Sequence, residues 1–162
     1  MESWEPVKGA PQGAVLSPLL SNLYLNDLDH LAVARGYEMT RYADDLVIQC
    51  RSPQEAESAL AMVREWVGAH GLTLHPTKTK VVDVEVEGFD FLGYHFEKGH
   101  REPREKSLSR FKDTIRGKTS RMSGDSLSEV IADVNRTLRG WFGYFKHSTT
   151  SIFRRLDSWI RM

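Results

Sequence analysis

Two short β-favouring runs, 37–42 and 46–50, flank the tripeptide Ala43-Asp44-Asp45, and no other stretch restricts the possible folds as tightly. The carboxylates suit a tight turn, so the segment is predicted to be a hairpin with an acidic tip. Helical patterns lie on both sides. Ser17-Pro18 is a helix start, Ser17 as the cap and Pro18 at the first position. Leu19, Leu20, Leu23, Tyr24, Leu28 and Leu31 follow at helical spacing, and Gly36 suits the stop. Ser52-Pro53-Gln54-Glu55 has capping-box spacing and opens a second helix, striped by Ala56, Ala59, Leu60, Val63, Trp66 and Val67 and ended by Gly68 and Gly71. A strand at 72–74, a polar loop at 76–80, a turn at Glu87-Gly88 and a returning strand over 89–96 are expected next. Helices alternating with antiparallel hairpins predict an α+β fold, a sheet with helices on one face.

The charge divides the 162 residues in two. Residues 1–97 carry 7 basic against 15 acidic side chains, whereas residues 98–162 carry 15 against 7. Such a split points either to a nucleic-acid or other anionic partner for the basic part, or to two halves attracted to each other. Between Lys98 and Arg121, nine basic residues meet three acidic ones, reading as a linker or a helix with a broad cationic face. An amphipathic helix follows, with Leu127, Val130, Ile131, Val134, Leu138, Trp141, Phe142 and Phe145 on one side. Ile152, Phe153, Leu156, Trp159 and Ile160 repeat the spacing in a last helix that looks cut short at Met162. The single cysteine, Cys50, excludes an intrachain disulfide and argues against a cysteine-built zinc site. No apolar run approaches the roughly 18 residues of a membrane span, and no signal-peptide pattern opens the chain, so a cytoplasmic location is expected.

Adjacent carboxylates at a hairpin tip repel each other, and a fold gains little by placing them there. Two readings stand: a solvated Asp-Asp turn, or a site where a divalent cation removes the repulsion. Magnesium would suit the second, because it prefers hard oxygen ligands and keeps positions for water and phosphate.

Several blocks resemble one family. Arg41-Tyr42-Ala43-Asp44-Asp45 resembles the Tyr-Ala-Asp-Asp signature of reverse transcriptases. Gly9-Ala10-Pro11-Gln12-Gly13-Ala14 with Leu16-Ser17-Pro18 is similar to the Pro-Gln-Gly…Ser-Pro block of group II intron reverse transcriptases, although Ala14 stands where many relatives have glycine. The stretch 71–80 and Phe91-Leu92-Gly93-Tyr94 resemble the next two blocks, and 138–145 resembles the start of the maturase-specific, thumb-like region. The resemblance implies a partial palm over residues 1–97 and a basic, helical thumb or maturase-specific region, truncated, over 98–162.

The family's chemistry is two-metal nucleotidyl transfer, with Mg²⁺ ions about 3.5–4 Å apart. By resemblance, Asp44 is the principal metal ligand, Asp45 the second, and Lys78 a catalytic lysine near the leaving pyrophosphate. Gln12, Gly13 and Tyr42 are implied at the nucleotide and template, and Gly93 and Tyr94 in the hairpin that positions the primer end. Arg104, Lys106, Arg110, Lys112, Arg116, Lys118, Arg121, Arg136 and Arg139 are the candidate RNA contacts. Trp141, Phe142, Tyr144 and Phe145 could stack on bases, but their helical spacing assigns most of them to a core.

The implied activity is RNA-directed DNA synthesis with intron-maturase RNA binding. Its partners are RNA (an intron or a template), primer DNA and deoxynucleoside triphosphates, with no membrane. Family members carry a fingers region and another catalytic aspartate upstream of the Pro-Gln-Gly block, where this sequence has only residues 1–8. The chain alone is therefore expected to polymerise poorly, a fingers-containing polypeptide being a further candidate partner. The alternative is a non-catalytic RNA-binding, splicing-type module or the remnant of a split enzyme.

Overall fold

A computed structural model describes residues 15–120 and 124–161. It contains helices and two small antiparallel sheets, the α+β class expected, in two compact units, residues 1–81 and 82–162. Among the described residues, no helix is long and apolar enough to cross a membrane.

In the first unit, α1 (Ser17–Ala34) has Leu16 rather than Ser17 as its cap residue, because Leu16 already has helical backbone angles (φ −85°, ψ −12°). Its end matches the expected stop, with Gly36 at φ +78°. The hairpin forms as anticipated from β1 (Glu38–Tyr42) and β2 (Asp45–Gln49). Helix α2 (Pro53–Ala69) is capped by Ser52, whose Oγ accepts the Glu55 N–H at 3.2 Å. The Glu55 carboxylate accepts instead from the N–H of Arg51, at 2.6 Å, one residue earlier than a full capping box requires.

The core of this unit joins Leu28 and Ala32 of α1 to Met62, Val63, Trp66 and Val67 of α2. Met39, Leu46 and Ile48 close it from one face of the hairpin, where Met39 pairs with Ile48 and Arg41 with Leu46. A lone hairpin is marginal in water, so this cover is what holds the strands. Residues 72–74 are not a strand. Leu74 reaches the core, but the Leu72 N–H closes the end of α2 on the Val67 carbonyl at 2.9 Å, and no strand among the described residues offers 72–74 a ladder.

In the second unit, the single strand expected over 89–96 is a hairpin of β3 (Phe89–Phe91) and β4 (Tyr94–Glu97), and a third strand, β5 (His100–Pro103), lies in the stretch read as linker or helix. Leu92 and Gly93 (φ +49° and +82°) and Lys98 and Gly99 (φ +48° and +71°) each put two left-handed residues in a two-residue loop, the sign pattern of a type I′ turn. At Gly88 a side chain would collide with its surroundings, since a Cβ would lie 2.3 Å from His95 Nε2 and 2.8 Å from the Phe96 carbonyl oxygen.

Three helices follow: α3 (Glu105–Lys118), α4 (Leu127–Phe145) and α5 (Thr150–Ile160). Phe111 and Ile115 of α3 pack with Ile152 and Leu156 of α5, and Val134, Leu138 and Trp141 of α4 lie against them. Ser126 and Glu129 form a reciprocal capping box at the start of α4. The outer part of its apolar stripe, Leu127, Ile131 and Phe142, is exposed. The border between compact units precedes the β3–β4 hairpin, whereas the border at 97/98 follows the change in charge.

Leu28 is 1% exposed. Leu28→Ala should destabilise the chain by about 2–5 kcal/mol through lost burial and a residual cavity, read as a lowered denaturant midpoint.

Candidate catalytic hairpin and basic helices

Tyr42 pairs with Asp45 across the end of the hairpin, leaving Ala43 and Asp44 as its two-residue loop. Ala43 takes φ +54°, a conformation uncommon for a residue with a side chain. Asp44 thus occupies the bend and Asp45 the first position of β2. Both are exposed, and neither makes a hydrogen bond or ion pair among the described residues. The Tyr42 ring beside them is also exposed.

The tip is held from below by Arg41, a residue the sequence reading left without a role. Its side chain is only 10% exposed. Nε and one terminal nitrogen donate to the two carboxylate oxygens of Asp29 on α1, at 2.7 and 2.5 Å. The other terminal nitrogen donates to the Ala43 carbonyl at 2.9 Å and to Asn22 Oδ1 at 3.1 Å. This bidentate pair, reinforced by a bond to the turn backbone, ties the bend to α1 and raises the Arg41 pKa, chiefly through the Asp29 hydrogen bond. It leaves Asp44 and Asp45 uncompensated. The available signal was the arginine's position: Arg41 lies on the inward face of β1, where an unpaired charge is costly.

Lys78 lies exposed in a turn at 76–78, with no bond to Asp44 or Asp45 among the described residues. Gln12, Gly13 and Arg121 lie outside the described residues. Two exposed carboxylates are hard donors that fit one magnesium ion completed by water and phosphate. No cluster of three or more histidine, cysteine or acidic side chains suited to a metal occurs among the described residues, so they offer no closed cage.

In the second unit, Gly93 sits in a firmly held turn. Its carbonyl accepts from the Arg104 N–H and the Ser107 hydroxyl, both at 3.0 Å, and the Leu92 carbonyl accepts from the Tyr144 hydroxyl at 2.7 Å. The Tyr94 hydroxyl donates to the Tyr144 carbonyl at 2.5 Å, and partial burial raises its pKa. The start of α3 and the end of α4 thus fix the turn. Phe145 is buried and Trp141 half-buried, both as core, whereas Phe142 and Tyr144 are exposed.

The basic candidates divide. Lys118 and Arg136 both pair with Asp133, and Arg116 pairs with Asp113 at 2.9 Å. Lys112 and Arg116 also lie over the Trp159 ring, at 5.7 and 5.5 Å from its centre. Arg104, Lys106, Arg110 and Arg139 make no ion pair among the described residues.

The family model for reverse transcriptase (RNA-dependent DNA polymerase) matches residues 3–96, and that for the group II intron maturase-specific domain matches residues 108–162. The chain belongs to the reverse transcriptase family, and its second part has the group II intron maturase type. It is 37% identical over 73 residues to the retron Ec86 reverse transcriptase of Escherichia coli, covering 43% of this chain and 23% of that protein. To the retron Mx162 reverse transcriptase of Myxococcus xanthus it is 35% identical over 88 residues, covering 46% and 18%. The chain therefore spans less than a quarter of these relatives' length. Reverse transcriptases generally use a divalent metal, and the family implies nucleic-acid partners, RNA among them.

Arg41→Lys keeps the charge but loses the fork, and should destabilise the first unit by about 1–3 kcal/mol in denaturant titrations. The Lys118 hydrogen bond holds the Asp133 carboxyl below its usual pKa. A depressed folded pKa gives stability that is present above the unfolded value and lost as pH falls through the folded one. Asp133→Asn should therefore flatten the acid limb of the stability–pH curve, seen in thermal melts from neutral pH down to about pH 3.

Proposed function

We propose that this chain serves RNA-directed DNA synthesis and group II intron RNA binding, through a magnesium site at the acidic hairpin tip and a cationic surface on the second unit. The observation that carries this is the uncompensated Asp44–Asp45 pair, held at its bend by Arg41 in a member of the reverse transcriptase family. Asp44 would be the principal ligand and Asp45 the second.

Bound there, magnesium supplies charge to the nucleotide phosphates and lowers the pKa of an attacking hydroxyl. The chain's own residues set the rest. Arg41 orients the bend without neutralising it. Lys78 offers a proton and positive charge to a departing pyrophosphate, and Tyr42 is assigned to the nucleotide and template, a role given also to Gln12 and Gly13 by their sequence block alone. The Leu92–Gly93 turn and Tyr94, fixed by Tyr144 and Ser107, position the primer end. RNA, primer DNA and deoxynucleoside triphosphates are the partners, in the cytoplasm. Since the described residues offer two carboxylates and no closed cage, a fingers-containing polypeptide is proposed to complete the site, and the chain alone should polymerise weakly.

Manganese binding, read by electron paramagnetic resonance, should show a site in the wild-type chain that Asp44→Asn with Asp45→Asn removes while RNA affinity persists. Primer extension on poly(rA)/oligo(dT) should be weak, magnesium-dependent and absent from the same variant. Failure of the wild type to bind the cation, or synthesis surviving in the variant, would sink this assignment. RNA binding without any cation site would leave a non-catalytic RNA-binding module.

A further inference from the structure

The cations of the second unit are not equivalent. Three on α3 are engaged within the fold: Lys112 and Arg116 lie over Trp159 of α5, and Lys118 pairs with Asp133 of α4. Arg104, Lys106 and Arg110 instead line one cavity of about 260 Å³ between α3 and α4. Phe111, Trp141 and Phe145 also line it, and no carboxylate does. Arg104 Nε is shut off from solvent with no hydrogen-bond partner among the described residues, the kind of buried donor that calls for an acceptor. A shallower depression adjoins it along α3 and contains Asp113, whose carboxylate is already paired with Arg116.

We propose that this cavity is a binding notch for one phosphodiester of a single-stranded RNA, and that the engaged cations of α3, Lys112, Arg116 and Lys118, take little part in RNA binding. This rests on the nucleic-acid reading above and narrows it to one place. Three cationic residues line a concave wall together with aromatic rings, where the low dielectric strengthens their field and arginine can donate two parallel bonds to one phosphate. Elsewhere on α3, an RNA phosphate would have to displace Asp133 from Lys118 or Asp113 from Arg116.

The test is fluorescence anisotropy with a labelled 12-nucleotide single-stranded RNA across a salt series. Three proteins are compared: the wild type, Lys106→Gln with Arg110→Gln, and Lys112→Gln with Arg116→Gln. The notch variant should bind about tenfold more weakly and lose about 0.7 from the slope of log affinity against log salt, the value of one phosphate contact on a single strand. The variant at Lys112 and Arg116 should stay within about twofold of the wild type. Equal losses in both variants, or an unchanged notch variant, would overturn the assignment while leaving RNA binding standing. A wild type that binds no RNA would remove both this proposal and the reading beneath it. Competition by polyglutamate as strong as by unlabelled RNA would make the notch a general anion site and overturn its assignment to RNA.

Discussion

The acidic bend depends on where one guanidinium is directed. Arg41 is the nearest cation in sequence to Asp44 and Asp45, and pairing with either would have quenched the hairpin tip. The pleat of β1 turns it inward instead, towards Asp29 on α1, with one remaining donor on the Ala43 carbonyl. The same side chain therefore anchors the bend and leaves its negative charge intact. A fold that only needed a stable hairpin would have no reason to keep two like charges unpaired there.

The second unit solves a similar problem with hydroxyl groups. The Leu92–Gly93 turn has left-handed backbone, and both of its carbonyls are satisfied from α3 and α4, by Arg104, Ser107 and Tyr144. Tyr94 stacks on Tyr144, and Phe145 meets Tyr94 at a tilt and Tyr144 edge-on, alongside these bonds. The excess positive charge of this unit is unevenly available. On α3, Arg116, Lys118 and Lys112 are engaged by Asp113, Asp133 and Trp159, whereas Lys106 and Arg110, with Arg104 ahead of the helix, line the cavity between α3 and α4 without an ion pair among the described residues.

Much of the chain was legible locally. The helices α1, α2 and α4 and the acidic hairpin follow from periodicity and turn chemistry, signals carried by consecutive residues, although Leu19, Leu20, Leu23 and Tyr24 of the stripe expected for α1 are exposed and its core face is Leu28 and Ala32. The β3–β4 hairpin and β5 escaped because Leu-Gly and Lys-Gly give only half of the usual type I′ signature, with no asparagine or aspartate before the glycine. The strand expected at 72–74 failed for the opposite reason: its composition suits a strand, but a strand exists only where a partner offers a ladder. Met62 was absent from the expected stripe of α2 yet is among its most buried residues, because which flank of a helix is covered depends on its neighbour.

At the site the division is similar. The sequence alone determined the acidic dyad, its place at a bend and the surplus of cations after residue 98, since these are matters of residue type and spacing. The role of Arg41, the fastening of the Leu92–Gly93 turn by Tyr144, and the sorting of the cations into occupied and unpaired were decided only by tertiary structure. Apart from the i,i+3 pairs of Arg116 with Asp113 and Arg136 with Asp133, each depends on a partner 12 to 52 residues away, and no local preference of the chain encodes which distant groups a side chain will meet.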